Sequence, residues 1–202
     1  MPSSNTTKKG RSLEKLRNEE TACGTCAGGK GITHYVFGEG DPGARVMFIG
    51  EAPGAKEDLS GRPFVGRAGK LLDQLLSGIG LSRENVFITN VVKCRPMKDP
   101  DNPSHARNDR PPTETEIAAC LPVLKQQISI IKPEYLCTLG NSSLRALMGK
   151  EMSIGSVHGK ILTYENFPLI PTYHPAAVFR NPRFKELLVA DLVILKNSLK
   201  KQ

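Results

Sequence analysis

The sequence has no tryptophan, and aromatic residues make up only 5% of its 202 residues. It also lacks an apolar run close to the ~20 residues that a membrane-spanning helix needs. Residues 1–20 are polar and charged, so the pattern of a secretory signal is missing from them. We therefore expect an intracellular, cytoplasmic protein that has no membrane partner.

Acidic residues are scarce relative to basic ones, with 20 Asp and Glu against 28 Lys and Arg and a net charge of +8. This excess favours polyanionic partners, nucleic acid first. The length is typical of one domain. Residues 1–20 are predicted to be a flexible N-terminal segment, because their first half is too polar to build a core. Within it, residues 11–20 could form a short helix, since Leu13 and Leu16 are three apart on one face. Residues 21–202 are predicted to form a single, monomeric domain.

The five cysteines are an odd number, and structural disulfides are rare inside cells. Cys23 and Cys26 form a C-x-x-C pair with small residues between them, which lets two thiolates face one metal ion or cluster. A redox pair is the alternative, but such pairs normally follow a strand and open a helix. Glycines follow this one, so metal or iron–sulfur binding is favoured.

Four apolar runs read as buried strands, at residues 46–50, 85–92, 134–140 and 169–172. Segments with helical spacing of leucine and isoleucine separate them. This alternation predicts an α/β fold, with three α/β/α layers around a mainly parallel central sheet of about four strands. The G-x-G-x-x-G at 38–43 is interpreted as a turn, because it precedes a strand and opens no helix.

Polar or glycine residues stand at the end of each predicted strand: Glu51, Asn90, Gly140 and His174. The carboxyl ends of parallel strands share one edge of a sheet, where open α/β folds bind their ligands. Taken singly, Glu51 could lie in a charged surface turn, Asn90 could be a residue of a strand-end turn, and His174 could be a structural histidine. Together they predict one shared crevice.

Several ordered motifs resemble the iron–sulfur uracil-DNA glycosylases, also called family 4, from Cys23 onward. The motifs are GEAPGAKED, GRPFVGRAG, TNVVKCRP, ACLP and TYHPAAVFRNP. The resemblance implies hydrolysis of the N-glycosidic bond of uracil in single- or double-stranded DNA. The base would flip into a pocket and an abasic site would remain, as the first step of base excision repair.

The resemblance also assigns roles to the residues that would bind the base. Phe64 would stack on the flipped uracil, and Asn90 would read its hydrogen-bonding edge. The backbone of the turn from Gly50 to Gly54, which includes Ala52, would add further contacts to the base. Glu57 would crowd the C5 side of the base and so exclude the methyl group of thymine.

Two further residues would carry the chemistry. His174 would donate a hydrogen bond to uracil O2 and stabilise the negative charge of the departing base. Glu51 would hold the attacking water or stabilise the cationic sugar, as carboxylates do in glycosidases.

By the same resemblance, Cys23, Cys26, Cys94 and Cys120 would bind a 4Fe-4S cluster. The cluster would tether the N-terminal arm and the long loop after Cys94 to the following helix. Zinc on the same four thiolates is the alternative. Cys137 lies in an apolar run and is expected to be a buried core thiol.

The loop between Cys94 and Cys120 is longer than the family pattern. A related group carries a loop histidine that becomes covalently linked to the sugar, and His105 is the only histidine in this loop. Asp109 is the residue that aligns with the linking position, so ordinary turnover is favoured and trapping through His105 stays an alternative. A hypothesis of another class is a non-catalytic, metal-stabilised nucleic-acid-binding module.

The DNA phosphates would be held by basic residues at the rim of the site. Residues 176–182 correspond to the loop that wedges into the duplex in this superfamily. The candidate phosphate contacts are Lys56, Arg62, Arg67, Arg95, Arg107, Arg110, Arg180 and Arg183.

Overall fold

The computed structural model describes residues 4–21, 30–105 and 107–200. The helices are α1 (Ser4–Thr21), α2 (Ala55–Ser60), α3 (Arg67–Gly78), α4 (Glu114–Ile131), α5 (Asn141–Met148), α6 (Ile154–Val157) and α7 (Phe184–Lys200). The strands are β1 (Glu39–Gly40), β2 (Val46–Gly50), β3 (Phe87–Asn90), β4 (Tyr135–Leu139), β5 (Leu162–Tyr164) and β6 (Phe167–Thr172). A 3-10 helix, Pro175–Phe179, follows β6. None of the described helices is long and apolar enough to cross a membrane.

The strands form one sheet in the order β1-β3-β2-β4-β6-β5. The four central strands are parallel, and the two edge strands, β1 and β5, are antiparallel to their neighbours. The α/β class and the mainly parallel sheet are confirmed. The expected count of about four strands omitted the two edge strands.

Alternate side chains of the strands enter two separate apolar clusters, as the two-residue repeat of a strand requires. Met47 and Ile49 join the cluster that contains residues of α1, α4 and α5. Val46 and Phe48 join the cluster that contains residues of α3 and α7. Helices therefore cover both faces of the sheet and leave its carboxyl edge for loops.

The N-terminal segment differs from its prediction. Residues 4–21 are helical, and Leu13 and Leu16 are buried in the same cluster as α4. The Lys9 ammonium also donates to the carbonyl of Ile131 at 2.6 Å. The helix includes the short segment that Leu13 and Leu16 indicate over residues 11–20, and it also extends through the polar residues before it, whose composition predicts flexibility. The assignment of 21–202 to a single domain stays a prediction.

Helix α4 begins where the sequence predicts. Thr113 accepts a hydrogen bond from the backbone N–H of Glu116, and the Glu116 carboxylate accepts one from the backbone N–H of Thr113. This capping box fixes the start of the helix that carries Cys120.

Candidate active site

A cavity of about 540 Å³ lies at the carboxyl edge of the sheet. In the sheet, β3 pairs with one side of β2 and β4 pairs with the other side, so the strand order reverses at β2. The cavity lies at this point of reversal, where open α/β folds bind their ligands. Six predicted site residues line it: Glu51, Ala52, Glu57, Phe64, Asn90 and His174. The convergence expected from the strand ends is therefore observed.

Gly50 lies directly behind the cavity. A Cβ atom at this position would collide with Oδ1 of Asn90 and with the ring of Phe64. The backbone of β2 can therefore approach both side chains only because residue 50 has no side chain. This close contact fixes the amide and the aromatic ring against each other.

Asn90 ends β3 and is 2% exposed. Its backbone is held in register beside Gly50 of β2. Its side-chain Oδ1 is buried and has no hydrogen-bond partner among the described residues. Buried acceptors are normally satisfied, because an unmade bond costs about 1–3 kcal/mol. Asn90 thus combines a position at the cavity wall with an acceptor that no described residue satisfies.

His174 immediately precedes the 3-10 helix that follows β6. Its Nδ1 accepts a hydrogen bond from the backbone N–H of Ala176 at 3.1 Å. A neutral imidazole that accepts at Nδ1 carries its proton on Nε2, so the second nitrogen is a donor. Burial lowers the pKa of His174 to about 4, with a further reduction from the charge of Arg180. The histidine is thus neutral near pH 7.

Glu51 follows β2 at the cavity wall. Burial raises the pKa of its carboxyl above the ordinary value, and a hydrogen bond with Ser142 opposes that rise. Ser142 belongs to the first turn of α5, the helix that follows β4. The carboxylate is therefore positioned by the third strand–helix unit of the parallel sheet.

Glu57 lies in α2 and faces the loop that contains Phe64. Its Oε1 accepts hydrogen bonds from the backbone N–H groups of Val65 at 2.9 Å and Gly66 at 2.8 Å. The Phe64 ring lies beside the imidazole of His174, with 5.6 Å between the ring centroids. The aromatic and the histidine therefore form adjoining walls.

Sequence reasoning missed several residues that line the cavity. Asn141 and Ser142 could have been found, because they directly follow Gly140 at a predicted strand end. Asp109 and Arg110 of the long loop also line the cavity; the resemblance singles out Asp109 as the aligned linking position and Arg110 as a basic residue at the rim. His105 is exposed in that loop and is not among the lining residues.

Lys93 is fully buried just beyond Asn90. Its ammonium donates to Oγ1 of Thr89, the backbone carbonyl of Asn90 and Oε1 of Gln127, at 2.6 to 2.8 Å. Burial lowers its pKa to about 7. Lysine is rarely buried unless its donors are satisfied, and here all three are. These hydrogen bonds connect the carboxyl end of β3 to Gln127 of α4.

Two of the four predicted cluster ligands, Cys94 and Cys120, are 3% exposed and lie in the same apolar cluster. Cys23 and Cys26 lie outside the described residues. Residues 30–31, which follow them, pack on the long loop, since Lys30 pairs with Asp101 at 2.6 Å. Cys137 is fully buried, as expected for a core thiol, and burial raises its pKa.

The candidate phosphate contacts differ in their surroundings. Three of them form ion pairs with carboxylates: Arg62 with Glu39, the buried Arg95 with Asp109, and Arg110 with Glu116. Other candidates are exposed at the surface: Lys56, Arg67, Arg107, Arg180 and Arg183.

One surface aromatic adjoins these cations. The Arg67 guanidinium lies 4.5 Å from the ring centroid of Phe179, which is 47% exposed. Arg180 follows Phe179 directly and lines the cavity. Ala68, the neighbour of Arg67, also lines it, so the exposed aromatic and the two arginines lie beside the cavity, at its mouth.

Comparison with known proteins gives consistent matches. The family model described as the Uracil DNA glycosylase superfamily matches residues 37–193. The Type-4 uracil-DNA glycosylase of Sulfurisphaera tokodaii is 47% identical over 189 residues, which covers 89% of this chain and 81% of that protein. The Type-4 uracil-DNA glycosylase of Pyrobaculum aerophilum is 43% identical and covers 90% and 92% of the two chains. That of Thermotoga maritima is 40% identical and covers 94% and 96%. With its cavity at the strand ends and this similarity along most of its length, the chain belongs to the type-4 group of the uracil-DNA glycosylase superfamily.

Proposed function

We propose that this protein hydrolyses the N-glycosidic bond between uracil and deoxyribose in DNA. The observation that carries the proposal is the unsatisfied Oδ1 of Asn90, buried at the wall of a cavity beside an aromatic ring. The names of the relatives are consistent with it.

Asn90 and Phe64 would select the base. The Asn90 Oδ1 would accept the N3–H of uracil, and its Nδ2 would donate to O4. Cytosine presents an acceptor at N3 and a donor at position 4, so the same amide would face two mismatches. Buried polar groups left without partners cost more free energy than a lost apolar contact, so the preference for uracil over cytosine should be strong. Phe64 would stack on the base after it leaves the duplex.

His174 would stabilise the departing base. Cleavage of the N1–C1′ bond leaves its electron pair on uracil, so negative charge grows on O2. The Nε2–H of a neutral His174 would donate to that oxygen more strongly in the transition state than in the substrate. The backbone hydrogen bond to Nδ1 holds this tautomer in place.

Glu51 would act on the sugar side. As the bond breaks, C1′ becomes an oxocarbenium-like centre, which a nearby carboxylate stabilises. The same carboxylate would orient the water that attacks C1′ and accept a proton from it. The products are free uracil and an abasic site, and no covalent enzyme intermediate is needed.

Cys94 and Cys120, with Cys23 and Cys26, would hold a 4Fe-4S cluster. The fit rests on the donor set, because two cysteines buried in one apolar cluster suit a thiolate-bound centre. When bound, the cluster would supply a cross-link and no electrons, since glycosidic hydrolysis is not a redox reaction. Zinc is the alternative, and the brown colour of an iron–sulfur protein distinguishes the two.

DNA would approach across the arginines at the mouth of the cavity. Arg67, Arg180 and Arg183 would contact phosphates, and residues 176–182 would enter the duplex at the position of the extruded base. Arg62 and Arg95 are less suited to phosphate contact, because Glu39 and Asp109 already pair with them.

The test measures abasic sites after incubation with uracil-containing single- and double-stranded DNA. We expect excision by the wild type and losses of about 100-fold or more in Asn90→Ala and His174→Ala. Asn85→Ala and His105→Ala, which change exposed residues of the same types, serve as matched controls. DNA binding without abasic sites would instead support the non-catalytic module.

The covalent alternative has its own readout. A denaturant-resistant protein–DNA adduct that disappears in His105→Ala would replace ordinary turnover with trapping. We expect no adduct, because Asp109 and not His105 lines the cavity.

A further inference from the structure

We propose that Arg83 and Glu57 form a clamp that holds Phe64 in a left-handed backbone conformation, so that its ring is preset to receive the base. Arg83 is then a positioning residue that belongs to none of the motifs of the site. The inference rests on the proposed function only in the identity of the base.

The backbone of Phe64 is unusual. Its φ is 53°, in the left-handed region that bulky side chains rarely adopt. The ring is nevertheless well packed, at 6% exposure, between Gly50 and the imidazole of His174. A Cβ atom at Gly69 in α3 would collide with the Phe64 carbonyl, so the loop also lies tightly on that helix.

Arg83 holds the two carbonyl groups of this turn. Its Nη1 donates to the carbonyl of Pro63 at 3.0 Å, and its Nη2 donates to the carbonyl of Phe64. The guanidinium is itself oriented by Glu39 and Asp73, each at 2.7 Å. A planar fork fixed by two carboxylates offers the remaining donors in a set direction.

Glu57 holds the other side of the same turn. One carboxylate oxygen accepts from the N–H groups of Val65 and Gly66, the two residues after Phe64. Four backbone polar groups, in the three consecutive peptide units from Pro63 to Gly66, are thus bound by two side chains of opposite charge. Glu57 is therefore placed to support Phe64 as well as to line the cavity.

Stability of the fold alone does not require an aromatic residue with a left-handed φ at position 64. A glycine at position 64 would adopt the same φ without external bonds, but it would supply no ring. Rare backbone conformations persist where surrounding contacts enforce them, and they concentrate at functional sites. A preset ring spares the protein from ordering it when the base arrives.

The test is a double-mutant cycle measured by single-turnover excision. We expect Arg83→Met to lower the rate by about 100-fold, the scale of a misplaced site group. DNA affinity should be unchanged. In a Phe64→Leu background, Arg83→Met should cause almost no further loss, because the ring that it positions is gone. Equal losses in both backgrounds would overturn the clamp.

Arg45→Met is the matched control. Arg45 also forms a two-pronged ion pair with a carboxylate, Glu134, and donates to a backbone carbonyl, that of Leu199. Its loss should lower thermal stability without changing excision. Arg83→Lys keeps the charge and one carbonyl bond, so it should recover part of the rate, and it replaces Arg83→Met should that variant fail to fold.

A readout without catalysis separates this inference from the proposed function. Arg83→Lys should lower the melting temperature in the wild-type background and much less in Phe64→Gly, where the turn needs no clamp. Equal decreases would overturn the clamp even if the protein excised uracil. Failure of the wild type to produce abasic sites would overturn the function and leave this stability cycle as the test of the clamp.

Discussion

Individual residues of the site owe their chemistry to burial. His174 and Glu51 lie on the same cavity, and removal from water favours the neutral form of each. The consequence differs between them. In the proposed reaction, a neutral His174 would donate a hydrogen bond and add no positive charge before the base departs, whereas Glu51 would act only when it is ionised.

The excision rate should therefore fall at acidic pH through protonation of Glu51. Because burial raises the pKa of Glu51, the midpoint of this acidic limb should lie above 4.5, the ordinary value. The rate should pass through pH 6.5 without an inflection, because His174 is already neutral there. Single-turnover rates from pH 4.5 to 8 measure both features, and an inflection near pH 6.5 that disappears in His174→Gln would contradict the assignment.

His174 should also make stability depend on pH. Its folded pKa of about 4 lies below the ordinary value of 6.5, so between these values the unfolded chain binds the extra proton. Its contribution is complete above pH 6.5 and is lost as the pH falls toward 4. From pH 7 to 5, the wild type should lose about 2 kcal/mol more unfolding free energy than His174→Gln. Urea unfolding of both proteins at the two pH values measures this difference.

The sequence could predict the residues that stand at strand ends, because position alone assigns them to the edge of the sheet. Glu51, Asn90 and His174 were found in this way. Arg83 and Lys93 could not be, since a lone basic residue reads as a solvated surface group. Their partners, Phe64 and Gln127, lie far away along the chain, and only the tertiary fold brings them together.

At the scale of elements, apolar runs predicted the four parallel strands because each is buried on both faces. The edge strands have only two and three residues, and β1 lies within a segment interpreted as a turn. Such short pairings carry no periodic signal. The length of the N-terminal helix was underestimated, because its many polar residues conceal the two leucines that it buries.

Helix α1 should therefore contribute measurably to stability. Leu16 is 3% exposed, so Leu16→Ala should cost about 2–5 kcal/mol through lost burial and the cavity that remains. Lys15→Ala, on the exposed face of the same helix, should change the unfolding free energy by less than about 0.5 kcal/mol. Chemical denaturation compares the two, and equal small effects would support the flexible segment that the composition predicted.

The 3-10 helix after His174 should act on duplex DNA in particular. Phe179 is exposed beside Arg67 at the mouth of the cavity, where an apolar wedge could separate stacked bases. Phe179→Ala should reduce excision from duplexes by about tenfold and leave single strands nearly unaffected, because unpaired bases need less extrusion. Val189→Ala, another exposed apolar residue, is the control. Equal losses on both substrates would assign Phe179 to the chemistry or to general binding.

Over the whole molecule, the proposed cluster would join regions that are remote along the chain. Cys94 precedes the long loop, Cys120 lies in α4, and the residues after Cys26 pack on the loop through Lys30 and Asp101. Cys94 and Cys120 lie in one of the two apolar clusters of the parallel sheet, and the apolar cluster on its other face contains neither of them. The cluster should therefore stabilise the loop and the N-terminal arm more than the core.

Cys120→Ser should remove the brown colour and the iron, because serine is a poor ligand for such a cluster. The cooperative unfolding of the sheet should remain, while protease cleavage should appear in residues 30–31 and 97–105, which would lose their shared anchor. Cys137→Ala is the matched control, since Cys137 is an equally buried cysteine in the other apolar cluster. It should keep the colour and the protease resistance of both segments. Retention of iron in Cys120→Ser, or its loss in Cys137→Ala, would reassign the ligands and with them the part of the fold that the cluster stabilises.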